Sequence, residues 1–216
     1  MQLTYNNQTA LGGGCFEKID SGISRFGRAV IEEMNRLGMI IDLSHAGRKT
    51  CLDAIEYSKK PVAISHANPL FFHDSKRNID NDVLKKLVSK DGFIGLSLYP
   101  LYLKNNNNCK LEDFCEMIIK LSNLIGLDHI GIGSDLCSNW DDSVVMWMRN
   151  GKWTKKLDFG ESKNKSSAWP AQPLWFEKGS DLINIYYGLS KLGMKEKDIF
   201  KILGSNWLEF FKISFG

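Results

Sequence analysis

Five reactive side chains each close a short apolar run in this chain: Tyr5, His45, His66, Tyr99 and Asp135. Two of them repeat a dipeptide, Ser44-His45 and Ser65-His66. A lone histidine at a strand end is commonly a hydrogen-bonded structural residue. Two consecutive strands ending in Ser-His instead offer a pair of neutral imidazoles that could reach one zinc, at Zn–N distances of about 2.0–2.1 Å. A catalytic zinc takes a third protein ligand and a water, and no third ligand is evident in the sequence.

Other polar residues are placed less decisively. Asp135 follows Gly131-Ile132-Gly133-Ser134, whose glycines permit close backbone approach and leave the carboxylate projecting; it could shuttle a proton or pair with a metal or an amine. Arg77, just past the His66 run, could hold a substrate carboxylate bidentately, and from position alone it could equally be a surface arginine near a helix start. Strand alternation puts Asp42 on the face opposite His45, as a structural hydrogen-bonding residue. His73 falls in a loop and His129 at the start of a strand, away from the strand ends that carry the chemistry.

Those strand ends must be brought together by the elements between them. Apolar runs alternate with amphipathic ones, the pattern of βα units around a parallel sheet. Strands are expected at Leu3 to Tyr5, Met39 to Ser44, Val62 to Ser65, Phe93 to Leu98 and His129 to Ser134. Helices are expected from Gly27 to Leu37 before Gly38, Arg48 to Lys59 before Pro61, Asn81 to Lys90, Leu111 to Ile125, Ser180 to Leu192 and Lys195 to Leu203. From Cys137 to Pro173 the pattern loosens into a long loop, with a short helix near Val144 to Arg149. In a parallel barrel, strand C-termini converge on one face, where such barrels keep their active sites.

Composition narrows the classes. With 216 residues, 43% apolar and 25% charged, the chain can bury one sizeable core, and we expect one domain over residues 1–216. A net charge of +3, with both signs interspersed, argues against nucleic acid as the main partner. Five cysteines without C-x-x-C spacing argue against a disulfide framework or a zinc knuckle and suit a reducing, cytoplasmic compartment. No stretch reaches the length of a membrane span.

The chain resembles the C-terminal part of the membrane (renal-type) dipeptidases, peptidase family M19. The resemblance runs through Leu3-Thr4-Tyr5-Asn6, Phe26-Gly27-Arg28, Glu33 to Gly38, Ile41-Asp42-Leu43-Ser44-His45, Pro61 to His66, Arg77-Asn78, Gly131 to Asp135 and Ile202 to Trp207. It implies an α/β fold, a (β/α)8 TIM-type barrel lacking about its first three βα units here. It also implies a binuclear zinc hydrolase that splits dipeptides with a water bridging the two metals. In that resemblance His45 and His66 ligate one zinc, and Arg77 holds the substrate's C-terminal carboxylate. Asp135 lies near the substrate's amino group and assists proton transfer. Tyr5 stands where mammalian members have a histidine that polarises the scissile carbonyl, and its phenol can donate one hydrogen bond there.

Departures follow from the same comparison. The His-x-Asp pair for the other zinc and the glutamate bridging both metals have no counterpart, and Leu136-Cys137-Ser138 replaces a Phe-Asp-Gly. Five strands against eight, and 216 residues against about 250 for a usual barrel, agree with an incomplete barrel. Such a remnant, with exposed strand edges, is expected to be unstable, to self-associate or to require its missing part. A catalytically inactive remnant serving as a binding or assembly module, and another amidohydrolase-type metal hydrolase, are the competing readings.

Overall fold

The computed structural model describes residues 1–149 and 168–215. Eight α-helices occur among them: α1 (Arg25–Leu37), α2 (Arg48–Tyr57), α3 (Asn81–Val88), α4 (Leu111–Ile125), α5 (Asp142–Arg149), α6 (Ile183–Lys191), α7 (Glu196–Phe200) and α8 (Asn206–Phe215). Three strands, β1 (Ala63–Ile64), β2 (Phe93–Leu96) and β3 (Ile130–Ile132), form a parallel sheet in the order β1-β2-β3. Ala63 stands opposite Phe93, and Ile94 opposite Ile130.

Two of the five expected strands are reduced to single parallel bridges, Gln2 to Asp42 and Asp42 to Ala63. They still extend the sheet in chain order, through the Asp42 amide donating to the Met1 carbonyl and the Leu43 amide to the Ala63 carbonyl. Their shortness has local causes. Asn6 and His45 adopt left-handed backbone conformations (φ 59° and 67°), which end the extended path. The Asp42 carboxylate also takes the Ser44 and Ser65 amides that a longer ladder would use.

Alternation along the strands divides the interior in two. Ile64, Ile94, Leu96 and Ile130 face the large core that Leu84, Leu87, Ile118 and Leu121 complete from the helices. Ala63 and Phe93 face the other way, toward Phe210 and Trp207 of α8 and Ile40. The Trp207 indole donates to the Ile132 carbonyl at 2.9 Å, and Asn206 donates to the carbonyls of Leu127 and Ile130, so α8 is pinned to the end of β3 and the turn before it.

Helix boundaries follow ordinary capping chemistry. Ser24 caps α1 by accepting from the Gly27 amide, and α1 ends at Gly38, as expected. Asp80 caps α3 by accepting from the amides of Asp82 and Val83. The expected short helix near Val144 begins earlier, at Asp142, and the middle of the expected long loop, residues 150–167, lies outside the described residues. The second closing helix does not run unbroken from Lys195 to Leu203: α7 gives way to a π-helical turn, Lys201–Ser205, with a kink at Gly204 before α8. Among the described residues, no helix is long and apolar enough to cross a membrane.

Candidate metal and substrate site

The two Ser-His dipeptides meet. His45 follows the bridge at Asp42 and His66 follows β1, and their Nε2 atoms stand 3.0 Å apart. His45 is buried, with its Nδ1 2.6 Å from Asn6 Oδ1. An amide oxygen only accepts, so Nδ1 of His45 carries the proton and its Nε2 presents a lone pair. His66 Nδ1 lies 2.7 Å from the Ser65 hydroxyl, whose own proton goes to Asp42 Oδ2 at 2.6 Å. Ser65 therefore accepts from His66, and the Nε2 of His66 is a lone pair as well.

Two lone pairs facing each other at 3.0 Å repel unless a cation lies between them. A proton is disfavoured there: burial, and then the Arg77 charge, pull His66 down to about 4, with the Asp42 charge opposing. Burial, Arg77 and His66 push His45 down as well. Both rings are thus neutral at pH 7, the state in which imidazole binds a metal. Ligand nitrogens at the corners of a tetrahedral zinc site stand about 3.3 Å apart, from Zn–N near 2.05 Å, so this pair fits one metal with little movement. The donor set stops there. Among the described residues no group of three or more His, Cys, Asp or Glu side chains is placed to hold a metal.

Asp42 belongs to this cluster, contrary to the alternation argument. His45 is left-handed, so counting parity from it along an extended strand fails. The Asp42 Oδ1 accepts from the amides of Ser44 and Ser65, each at 3.0 Å. Burial raises its carboxyl, but the bonds from the Ser65 hydroxyl and these two amides outweigh it and hold the group below the ordinary carboxylate range. The Ser44 hydroxyl lies 3.2 Å from Ser65 Oγ and accepts from the His66 amide, closing the network.

Arg77 is no surface arginine. It is 1% exposed, donates from Nη2 to the His66 carbonyl at 2.9 Å, and lies over the Tyr102 ring at 5.0 Å. Its field, which depresses both histidines, makes the neighbourhood favourable to an anion. Tyr5 stacks on His45 with ring centroids 4.3 Å apart and is 40% exposed. Asp135 follows β3 in a left-handed conformation (φ 55°) and is half-buried. A Cβ on Gly133 would lie 1.8 Å from the Ser65 carbonyl oxygen, so the end of β3 can press against the segment carrying His66 only because residue 133 is glycine. A cavity of about 300 Å³ opens just past Asp135, lined in part by Tyr99, Leu136, Trp169 and Gln172.

Tyr99 itself is buried and packs on Tyr102. His129 donates from Nδ1 to the Gly92 carbonyl at 2.9 Å, at the amino end of β2 and away from the cluster. The His73 carbonyl accepts from Asn78. Asn6, Ser44, Ser65 and Tyr102 also contact the site residues, and no periodicity singles them out. The serines were visible in the repeated Ser-His, and Asn6 directly follows a strand-end tyrosine.

A parallel sheet with its polar cluster at the carboxyl ends of the strands is the layout of α/β-barrel enzymes. Residues 1–143 match the family described as membrane dipeptidase (peptidase family M19), and the chain belongs to that family. Dipeptidase aclJ of Aspergillus oryzae is 36% identical over 134 residues, 61% of this chain and 32% of that protein. A crystal structure of an amidohydrolase from Pseudomonas aeruginosa is 33% identical and superposes with a TM-score of 0.90 over 100% of this chain and 64% of its own. A metallo peptidase from Rhodobacter sphaeroides, solved with a phosphinate mimic of the dipeptide L-Ala-D-Ala, is 20% identical with a TM-score of 0.77, over 99% of this chain and 55% of its own. The chain spans about a third of the length of the curated relatives it matches.

Proposed function

We propose that this chain forms part of the active site of a zinc-dependent dipeptidase, contributing the strand ends of an incomplete TIM-type barrel as a single domain. The observation that carries the reading is the pair of bare imidazole nitrogens 3.0 Å apart, which a shared metal satisfies. His45 and His66 hold one zinc. The ligands for the second zinc and the bridging carboxylate come from barrel units that this chain does not contain. When bound, the metal supplies Lewis acidity and an activated water.

The chain's own groups orient the dipeptide. Arg77 attracts the C-terminal carboxylate through a field that burial leaves poorly screened. Tyr5 donates its phenolic hydrogen toward the scissile carbonyl as that oxygen gains charge. Asp135 accepts a proton or hydrogen bond from the substrate amine and assists its transfer to the leaving group. Five cysteines without a disulfide among them suit a reducing compartment.

A second reading, an amidohydrolase acting on a cyclic amide or lactone, is favoured by the Pseudomonas aeruginosa neighbour. Arg77 separates the two, because a free substrate carboxylate can pair with its guanidinium, whereas a cyclic amide or lactone brings no such anion. The test is zinc-dependent hydrolysis of a panel of L-L and L-D dipeptides, by the chain alone and with the front barrel units supplied, with His45→Ala as control. Hydrolysis lost in the variant supports the reading. Turnover unchanged on amidating the substrate carboxylate favours the second reading, and no turnover in either setting leaves an inactive remnant.

A further inference from the structure

Metal ligation by an imidazole nitrogen requires that the proton sit on the other one, and what fixes it here lies two bonds away from the ring. Asp42 Oδ1 is occupied by two backbone donors, the amides of Ser44 and Ser65. Its Oδ2 takes the Ser65 hydroxyl proton at 2.6 Å. The Ser65 oxygen, having given up its only proton, must accept from its neighbour 2.7 Å away, Nδ1 of His66. The Ser44 hydroxyl reinforces this polarity. Ser44 Oγ already accepts from the His66 amide, and its proton points to Ser65 Oγ at 3.2 Å.

We propose that Asp42 and Ser65 are positioning residues that lock His66 in the Nδ1–H tautomer, so that Nε2 is permanently available as a metal ligand. The proposal rests on the reading of His66 as a ligand and adds the device that makes it one. Asn6 performs the corresponding task for His45 directly, with an oxygen that has no proton to give. The two devices differ in one respect. The Asp42–Ser65 relay is reversible by a single atom.

In Asp42→Asn the remaining oxygen must stay with the two amide donors, so the new NH2 replaces Oδ2 and donates to Ser65. Ser65 then keeps a proton to give, and its shortest neighbour is Nδ1 of His66. The ring shifts to the Nε2–H form and closes its own ligand position. Removing the hydroxyl too, in Asp42→Asn/Ser65→Ala, leaves nothing to donate to Nδ1 and frees the tautomer again. Damage that merely loosened packing would accumulate in the double variant. Reversal of a proton relay is relieved in it.

Long-range 1H–15N correlation spectra of the 15N-labelled, metal-free chain at pH 7.5 read the tautomer of each histidine directly, and competition titration with Zn2+ reads the consequence. The unmodified chain should show His66 as Nδ1–H, Asp42→Asn as Nε2–H with Zn2+ affinity lowered by about 10–100-fold, the usual range for losing such support. The double variant should recover most of that loss. An Nε2–H His66 in the unmodified chain overturns the proposal with no variant needed. So does an Asp42→Asn spectrum that keeps the Nδ1–H form, or a double variant weaker than the single. A chain that shows the locked pair but hydrolyses no dipeptide, alone or with the front barrel units supplied, retires the dipeptidase reading and leaves the relay standing.

Discussion

Three residues of the proposed site, Asn6, His45 and Asp135, hold left-handed backbone conformations that residues other than glycine adopt at a cost. Each turns the chain where a strand would otherwise run on, and in Asn6 and His45 this brings the side chains together, Asn6 Oδ1 lying 2.6 Å from His45 Nδ1. The same economy of space explains Gly133. Its missing Cβ is what lets β3 reach the Ser65 carbonyl, so Gly133→Ala must push the two segments apart. We expect a loss of about 1–3 kcal/mol or more, as for overpacking in a close-packed interior. Gly179, with nothing within 4 Å of its ideal Cβ, is the control, and Gly179→Ala should stay within about 0.5 kcal/mol. Urea denaturation of both variants checks the pair, and equal stabilities would show that β3 reaches the site for some other reason. Residue identities in the sequence disclosed His45 and His66 through the Ser-His repeat. They did not disclose Asp42 as a member of the cluster, because a left-handed residue cannot be read from periodicity and it invalidated the alternation count.

Elements were more legible than their edges. Each expected helix before residue 130 forms, because its apolar residues recur at helical spacing and its caps are chemically marked. Ser24 before α1 and Asp80 before α3 both accept from amides in the first turn. Strands fared less well: apolar runs marked where they lie, but the competition between Asp42's carboxylate and the ladder for backbone amides is a tertiary matter. The tail from Ser205 had no assignable place in the sequence, and the structure turns it into α8, whose Trp207 meets β3 by a contact 75 residues distant. The loop from His66 to Asp80 carries Arg77, and α3 anchors its far end. Asp80→Ala removes the cap of α3 together with an exposed pairing to Arg48, which contributes little. We expect a cost of about 1–2 kcal/mol, largely from the cap, with Asp80→Ser keeping most of it. Equilibrium unfolding of the two variants decides this, and an alanine variant as stable as the unmodified chain would mean that the loop holds α3 in place, and not the reverse.

On the scale of the whole molecule, the sheet has two faces of unequal completion. The large core fills one, whereas the other rests on Ala63, Phe93 and Phe210 with Ile40 and Trp207 beside them. Beyond these, α8 shows solvent a stripe of Leu208, Phe211 and Phe215, spaced at i, i+3 and i+7 so that they share one helical face. Phe211 stacks on Phe215 and on Trp207 and still shows part of its ring to solvent. Burying side chains of this kind is worth about 1.5–3 kcal/mol each when complete, enough to drive association if a partner surface is offered. The two outer strands of the sheet, the segment at Gln2 and β3, are each paired along one side among the described residues. The chain on its own should therefore self-associate through this face, and Leu208→Lys/Phe211→Glu should shift it toward monomer without lowering its helix content. Sedimentation velocity over a range of concentrations measures both. A monomeric chain with a cooperative, high-temperature unfolding transition would show that α8 already completes the fold. Association relieved by supplying the front barrel units, and not by a second copy alone, would assign the stripe to those units.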